Sequence, residues 1–205
     1  MFGLFFPAKK VIMDNRSWLI ISTVIFLSSA FIFYFTTAAA PAVGEQLMEN
    51  QFNQLDNLFS MILGTTPMIS ALLVFMNNFL SMAQMLLLGF LAGISPLFTL
   101  GINGSLVGML LSITSEQGMP LLSIVFFGLL PHGIPELFAF FLCGALGLKF
   151  GYHCVASPLP GKTRLQSYRY IWKEAISVLP LVVLLLLLAA LIEIFITPRL
   201  LERFL

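Results

Sequence analysis

Charge is scarce in this sequence. Only 9% of its 205 residues are Asp, Glu, Lys or Arg, against about 25% in an ordinary soluble domain. With 59% hydrophobic residues and a mean hydropathy of +1.00, too few polar side chains remain to cover a water-facing surface. That excludes a soluble enzyme. It also excludes disorder, which needs low hydrophobicity and high charge. Ten basic and nine acidic residues leave a net charge of +1, so no basic excess points to a nucleic-acid partner. Cysteine is nearly missing: Cys143 and Cys154 form neither a disulfide framework nor a CxxC metal or redox motif. No Gly-x-Ser-x-Gly elbow and no Cys-His spacing sets up a nucleophile, and no pattern indicates an organic cofactor.

What is present is a series of long apolar runs. They predict an all-α, polytopic transmembrane helical bundle in a single integral membrane domain, 1–205, with about five spans. The first run, Trp18 to Thr37, is long enough to cross and follows Lys9, Lys10 and Arg16, so it reads as a span and not as a cleavable signal. Residues 41–66 are expected to form an external amphipathic segment, since apolar positions recur at helical spacing among Glu45, Glu49 and Asp56. Further spans are expected at Met68–Gly93, Leu97–Ile113 and Ile176–Ile196. Pro131 and Pro135 argue for a broken or re-entrant stretch between them, read as segments Leu121–Leu130 and Gly133–Phe150.

With five crossings, residues 1–17 and a basic loop at 149–173 share one side. That side holds eight of the ten basic residues: Lys9, Lys10, Arg16, Lys149, Lys162, Arg164, Arg169 and Lys173. By the positive-inside rule it is cytoplasmic, which leaves the C-terminus external in a multi-pass cell-membrane protein.

A charged side chain at mid-bilayer costs at least about 2.5–3.5 kcal/mol and needs a partner. Polar residues inside the spans are therefore the candidate site: Asn78, Asn103, His132, Glu136 and Glu193, with Asn77 and Gln84 nearby. His132 and Glu136 are four apart and share a helix face. Pro131 suits a helix start, which would put His132 at free N–H groups. If the Pro131 break falls in the outer half of its segment, Glu193 lies at the same depth and should meet the motif, with a proton or charged His132 between the two carboxylates. Read functionally, the cluster is a proton relay, an anion or lipid-headgroup site, or a metal site; for a metal the candidate ligands are His132, Glu136 and Glu193, with Cys143 as a completing group, while His153 lies in the basic loop. The plainest alternative is that these groups hydrogen-bond across helices and hold broken segments together.

Glycines recur at three- and four-residue intervals: Gly89 and Gly93; Gly101, Gly104 and Gly108; Gly144, Gly147 and Gly151. This is the signature of close helix packing, and it also suits a homodimer. A second reading makes Asn103-Gly104 and Pro131-His132-Gly133 unwound points that line a cavity.

Several of these segments together resemble the stage II sporulation protein M family. They are Phe75-Met76-Asn77-Asn78, then Gly89 and Gly93, then Ile102-Asn103-Gly104 through Gly108. Leu130-Pro131-His132-Gly133-Ile134-Pro135-Glu136-Leu137 and Ala189-Ala190-Leu191-Ile192-Glu193-Ile194-Phe195-Ile196-Thr197-Pro198 complete the set. The resemblance implies a polytopic membrane anchor. In endospore formers the namesake recruits peptidoglycan-degrading enzymes to the septum, and similar proteins occur in organisms that make no spores. Expected partners are thus the lipid bilayer and membrane or cell-envelope proteins. Three readings stay open: a scaffold or assembly factor; a transporter, channel or lipid-handling protein; and a metal-dependent intramembrane hydrolase.

Overall fold

The computed structural model describes residues 5–42, 44, 46 and 66–204. The expected amphipathic segment, 41–66, lies almost entirely outside the described residues. Among those described the chain is helical and contains no strand. Five helical runs are long and apolar enough to cross a membrane: Arg16–Ala39, Pro67–Leu87, Ile94–Glu116, Leu121–Val155 and Arg164–Phe195. Large apolar side chains on these runs face outward, among them Phe31 at 66% and Leu122 at 73% exposure. In water such a surface would aggregate; in a bilayer it is the lipid-facing side. The protein is therefore a multi-pass membrane protein.

In chain order the helices are α1 (Phe5–Asp14), α2 (Arg16–Ala39), α3 (Pro67–Leu87), α4 (Ile94–Glu116), α5 (Leu121–Ser123), α6 (Leu130–Val155), α7 (Arg164–Phe195) and α8 (Thr197–Phe204). A π-helical stretch, Ile124–Leu129, joins α5 to α6. The interruption expected near Pro131 is thus a change of helical pitch within one crossing, and the two separate segments Leu121–Leu130 and Gly133–Phe150 are not formed. The reason lies in the hydrogen bonding. Pro131 has no N–H to give, and its ring would crowd the carbonyl four residues back in a regular helix. Here the Leu130 N–H reaches back five residues to Val125 O, and this wider turn accommodates the ring.

The basic loop is also shorter than 149–173. Helix α6 continues to Val155 and α7 begins at Arg164, so the connection is residues 156–163. Its ends are fixed by capping. Arg164 Nη1 donates to the carbonyls of Cys154 and Val155 at the end of α6. At the start of α7, Thr163 N donates to Gln166 Oε1 (2.9 Å) and Gln166 N donates to Thr163 Oγ1 (3.3 Å), the reciprocal pair of a capping box.

The chain divides into two compact units. The first comprises Met1–Ile25, Asn78–Leu100 and Glu136–Leu186. Its core is Met82, Met85, Leu100, Leu142, Leu146, Val178, Val182 and Leu186, all nearly or fully inaccessible. Gly89 and Gly147 let backbones touch here: a Cβ at Gly89 would meet Gly147 O at 2.8 Å, and one at Gly147 would meet Met85 O at 2.6 Å. The turn between α3 and α4 ends the expected Met68–Gly93 span early, and it holds Ala92 at φ 54° and Gly93 at φ 72°.

Lys149, placed by its charge in the loop, is instead buried in this unit. Its Nζ donates to Glu174 Oε2 (2.6 Å) and Asn15 Oδ1 (2.8 Å). Asn15 Nδ2 completes the ring, donating to Glu174 Oε1 (3.1 Å) and Val11 O (2.8 Å). The network ties the α1–α2 junction to α6 and α7 with its charges paired, as a buried ion pair requires.

The second unit comprises Phe26–Asn77, Gly101–Pro135 and Leu187–Leu205. Helix α4 packs on α2 through Gly104 and Gly108, where a Cβ would run into the backbone at Phe26 and Ala30. Ser29 Oγ donates to Gly101 O (2.6 Å) along the same seam. Helix α8 folds back over the π-helical stretch. Phe204 stacks on Phe127 at 4.1 Å between ring centroids, and the Leu201 side chain lies against Gly128.

Candidate functional site

The packing of α8 on the π-helical stretch carries the end of α7 to the start of α6. His132 Nδ1 and Thr197 Oγ1 stand 3.2 Å apart, and Thr197 is buried. Glu193 precedes Thr197 by four residues, so the chain from α7 into α8 turns both toward the imidazole. Glu136 follows His132 by one turn on α6. One ligand-type atom from each of His132, Glu136 and Glu193 lies within 4.8 Å of the others, and all three residues are half-buried.

Two expected features of the site differ. His132 is not at a free helix N-terminus, because Leu130 N–H is already bonded to Val125 O within a continuous helical run. The free N–H donors that would favour an anion or lipid headgroup beside His132 are therefore already used within the helix. Cys143 is not part of the cluster; it is fully buried in the core of the first unit. His153 bonds through Nδ1 to Ser157 O (2.7 Å) and packs beside Trp18.

Asn78 is half-buried on α3 and Asn103 half-buried on α4, while Asn77 and Gln84 are exposed. Thr197 was missed by sequence reasoning. Its signal was available: it follows Glu193 at helical spacing in Glu193-Ile194-Phe195-Ile196-Thr197.

An imidazole and two carboxylates form a donor set for a divalent cation. Tetrahedral ligands about 2.1 Å from an ion stand about 3.4 Å from one another, so side-chain rotation of roughly 1 Å would close this group around one. Thr197 matters to such a site. When its hydroxyl accepts from Nδ1–H, the ring is held in one orientation and the Nε2 lone pair is left for a ligand. Among the described residues no fourth His, Cys, Asp or Glu joins the group, which is the pattern of three protein ligands with one open position.

Comparison with curated proteins and with solved structures gave no match. The family model for stage II sporulation protein M matches residues 22–198, a stretch that includes His132, Glu136, Glu193 and Thr197. The chain therefore belongs to the stage II sporulation protein M family.

Proposed function

We propose that the protein binds one divalent cation within its membrane domain, with His132, Glu136 and Glu193 as ligands and Thr197 positioning the imidazole. The observation that carries this reading is the convergence of three ionisable side chains from α6 and α7 in a chain with so little charge. Ionisable groups at membrane depth need partners, and they mark ion pathways and reaction centres. Three ligands with an open position fit an exchangeable water or substrate oxygen better than a permanent clamp. The centre therefore suits a cation-handling or hydrolytic role. The test is thermal unfolding of chelator-stripped protein in detergent, titrated with Zn2+ or Mn2+. Occupancy at 100 times Kd stabilises by about 2.7 kcal/mol. A rise in Tm for the wild type, lost in Glu193→Gln and Glu136→Gln, supports the site; equal responses in all three refute it.

Family membership favours a second reading, a membrane scaffold or assembly factor that recruits cell-envelope proteins. On that reading His132 matters only through stability. A His132→Gln variant that folds, stays monodisperse and keeps full cellular function would favour the scaffold over the cation centre.

A further inference from the structure

Helix α8 differs from the spans in composition. Three of its eight residues are charged, Arg199, Glu202 and Arg203, and all three are exposed. At helical spacing they share one face, and Thr197, Leu200, Leu201 and Phe204 make up the other. A charged face needs water, so α8 marks the aqueous boundary of the second unit and does not extend the α7 crossing. The apolar face is turned onto the π-helical stretch. Phe204 stacks on Phe127 with the rings 9° from parallel, and a Cβ at Gly128 would meet Leu201 Cδ2 at 3.3 Å. A branched residue at 128 would leave α8 no room to seat.

The joint before α8 lacks one hydrogen bond. Pro198 has no N–H to offer Ile194 O, and its ring would crowd that carbonyl in a regular helix. The chain accordingly turns at Ile196, between α7 and α8. The bonds from Ile196 N to Ile192 O (2.9 Å) and from Leu200 N to Ile196 O (3.1 Å) bracket the turn. Thr197, the first residue beyond it, is the one that meets His132. The Phe204 ring lies seven residues further on, about 10 Å at helical rise. A single short helix thus connects the ring stack at one end to the imidazole at the other.

We propose, on the cation reading above, that α8 is a latch on the cation centre. Seated, it holds Thr197 on His132 and closes the centre from the aqueous side; swung about the Ile196 joint, it releases the imidazole and lets the ion exchange. Phe127, Gly128, Leu201 and Phe204 are then positioning residues, none of which supplies a ligand atom. The contacts have the strength a latch needs. An aromatic pair shifts a docking equilibrium about two- to tenfold, and a hydrogen bond of the His132–Thr197 kind shifts it about threefold within a membrane. Neither clamps α8 permanently. Coupling is reciprocal, so an ion that prefers the seated form tightens α8 by the factor with which seating tightens the ion.

Hydrogen–deuterium exchange of the α8 amides in the full chain in detergent reads the latch directly, because local opening sets their exchange rate. In chelator-stripped protein, Phe204→Ala and Gly128→Val should each speed exchange across 199–204 about two- to tenfold. His132→Gln, which lies outside α8, should speed it about threefold, and Thr197→Val should match it. Thr197→Ser and Phe204→Tyr keep the hydroxyl and the ring, and should exchange as the wild type does. Zn2+ or Mn2+ at 100 times Kd should slow the wild-type α8 up to about a hundredfold, and Phe204→Ala should weaken ion binding about twofold or more. Wild-type exchange rates in both His132→Gln and Phe204→Ala overturn the latch. So does a wild type whose Tm rises with the ion while α8 exchange stays the same. A wild type that responds to neither ion refutes the cation centre, and the chelator-stripped comparison alone then decides whether α8 and His132 move together.

Discussion

Replacing Lys149 with Met would leave the Glu174 carboxylate and the Asn15 side-chain oxygen without their shared donor. Both Lys149 and Glu174 are 7% exposed, and the pair is closed at 2.6 Å. Breaking a buried pair from one side costs about 3–5 kcal/mol, because an uncompensated charge remains. Glu174→Leu should cost a similar amount by stranding the ammonium. The double variant Lys149→Met/Glu174→Leu removes both charges. What it loses is the hydrogen bonding of Asn15, which still keeps Val11 O as a partner, at about 1–3 kcal/mol. The two single losses should therefore exceed the double loss by about 3 kcal/mol or more, a strong coupling for adjacent residues. Reversible unfolding in mixed micelles by dodecyl sulfate titration, followed by tryptophan fluorescence, measures all three. Single losses below about 1 kcal/mol, or a double loss equal to the sum of the singles, would refute the reasoning.

Gly108→Val should destabilise by at least about 1–3 kcal/mol, since any side chain there meets the Ala30 backbone; the same titration checks it. Ala92 has φ 54°, so Ala92→Gly should raise stability and Ala92→Val should lower it, by roughly 1 kcal/mol in each direction in the same titration. Ser22 Oγ donates to Phe141 O at 2.9 Å, and Ser22→Ala should cost about 0.6 kcal/mol, the average for such bonds within membranes. The excess of Lys and Arg leads us to expect the 156–163 connection on the cytoplasmic side; with Cys143 and Cys154 replaced, Gln166→Cys should resist impermeant maleimide added to intact cells, and labelling there would reverse the orientation.

The five spans were legible because a crossing helix needs only length and hydropathy, both of which are local. The meeting of Glu193 with His132 and Glu136 was also within reach, because buried carboxylates must find partners and both segments could be placed at similar depth. Lys149 was not legible. A lysine near the end of an apolar run reads as the first residue of a basic loop until a carboxylate on another helix is known to face it, and Glu174 lies 25 residues away. The fate of Pro131 was hidden for a different reason. Proline forbids one hydrogen bond, but whether the helix breaks or widens depends on what packs there, and here Leu201 and Phe204 of α8 cover the widened stretch.

Metal content is the most direct measure of the centre formed by His132, Glu136 and Glu193. Protein purified without chelator, exchanged into metal-free detergent buffer and analysed by elemental mass spectrometry should carry about one divalent transition ion per chain. Glu193→Gln and His132→Ala should each lower that content toward zero while eluting as the wild type does, and Thr197→Val should lower it in part. A wild-type protein that remains empty after incubation with Zn2+ and Mn2+, or variants that retain the full complement, would contradict the assignment.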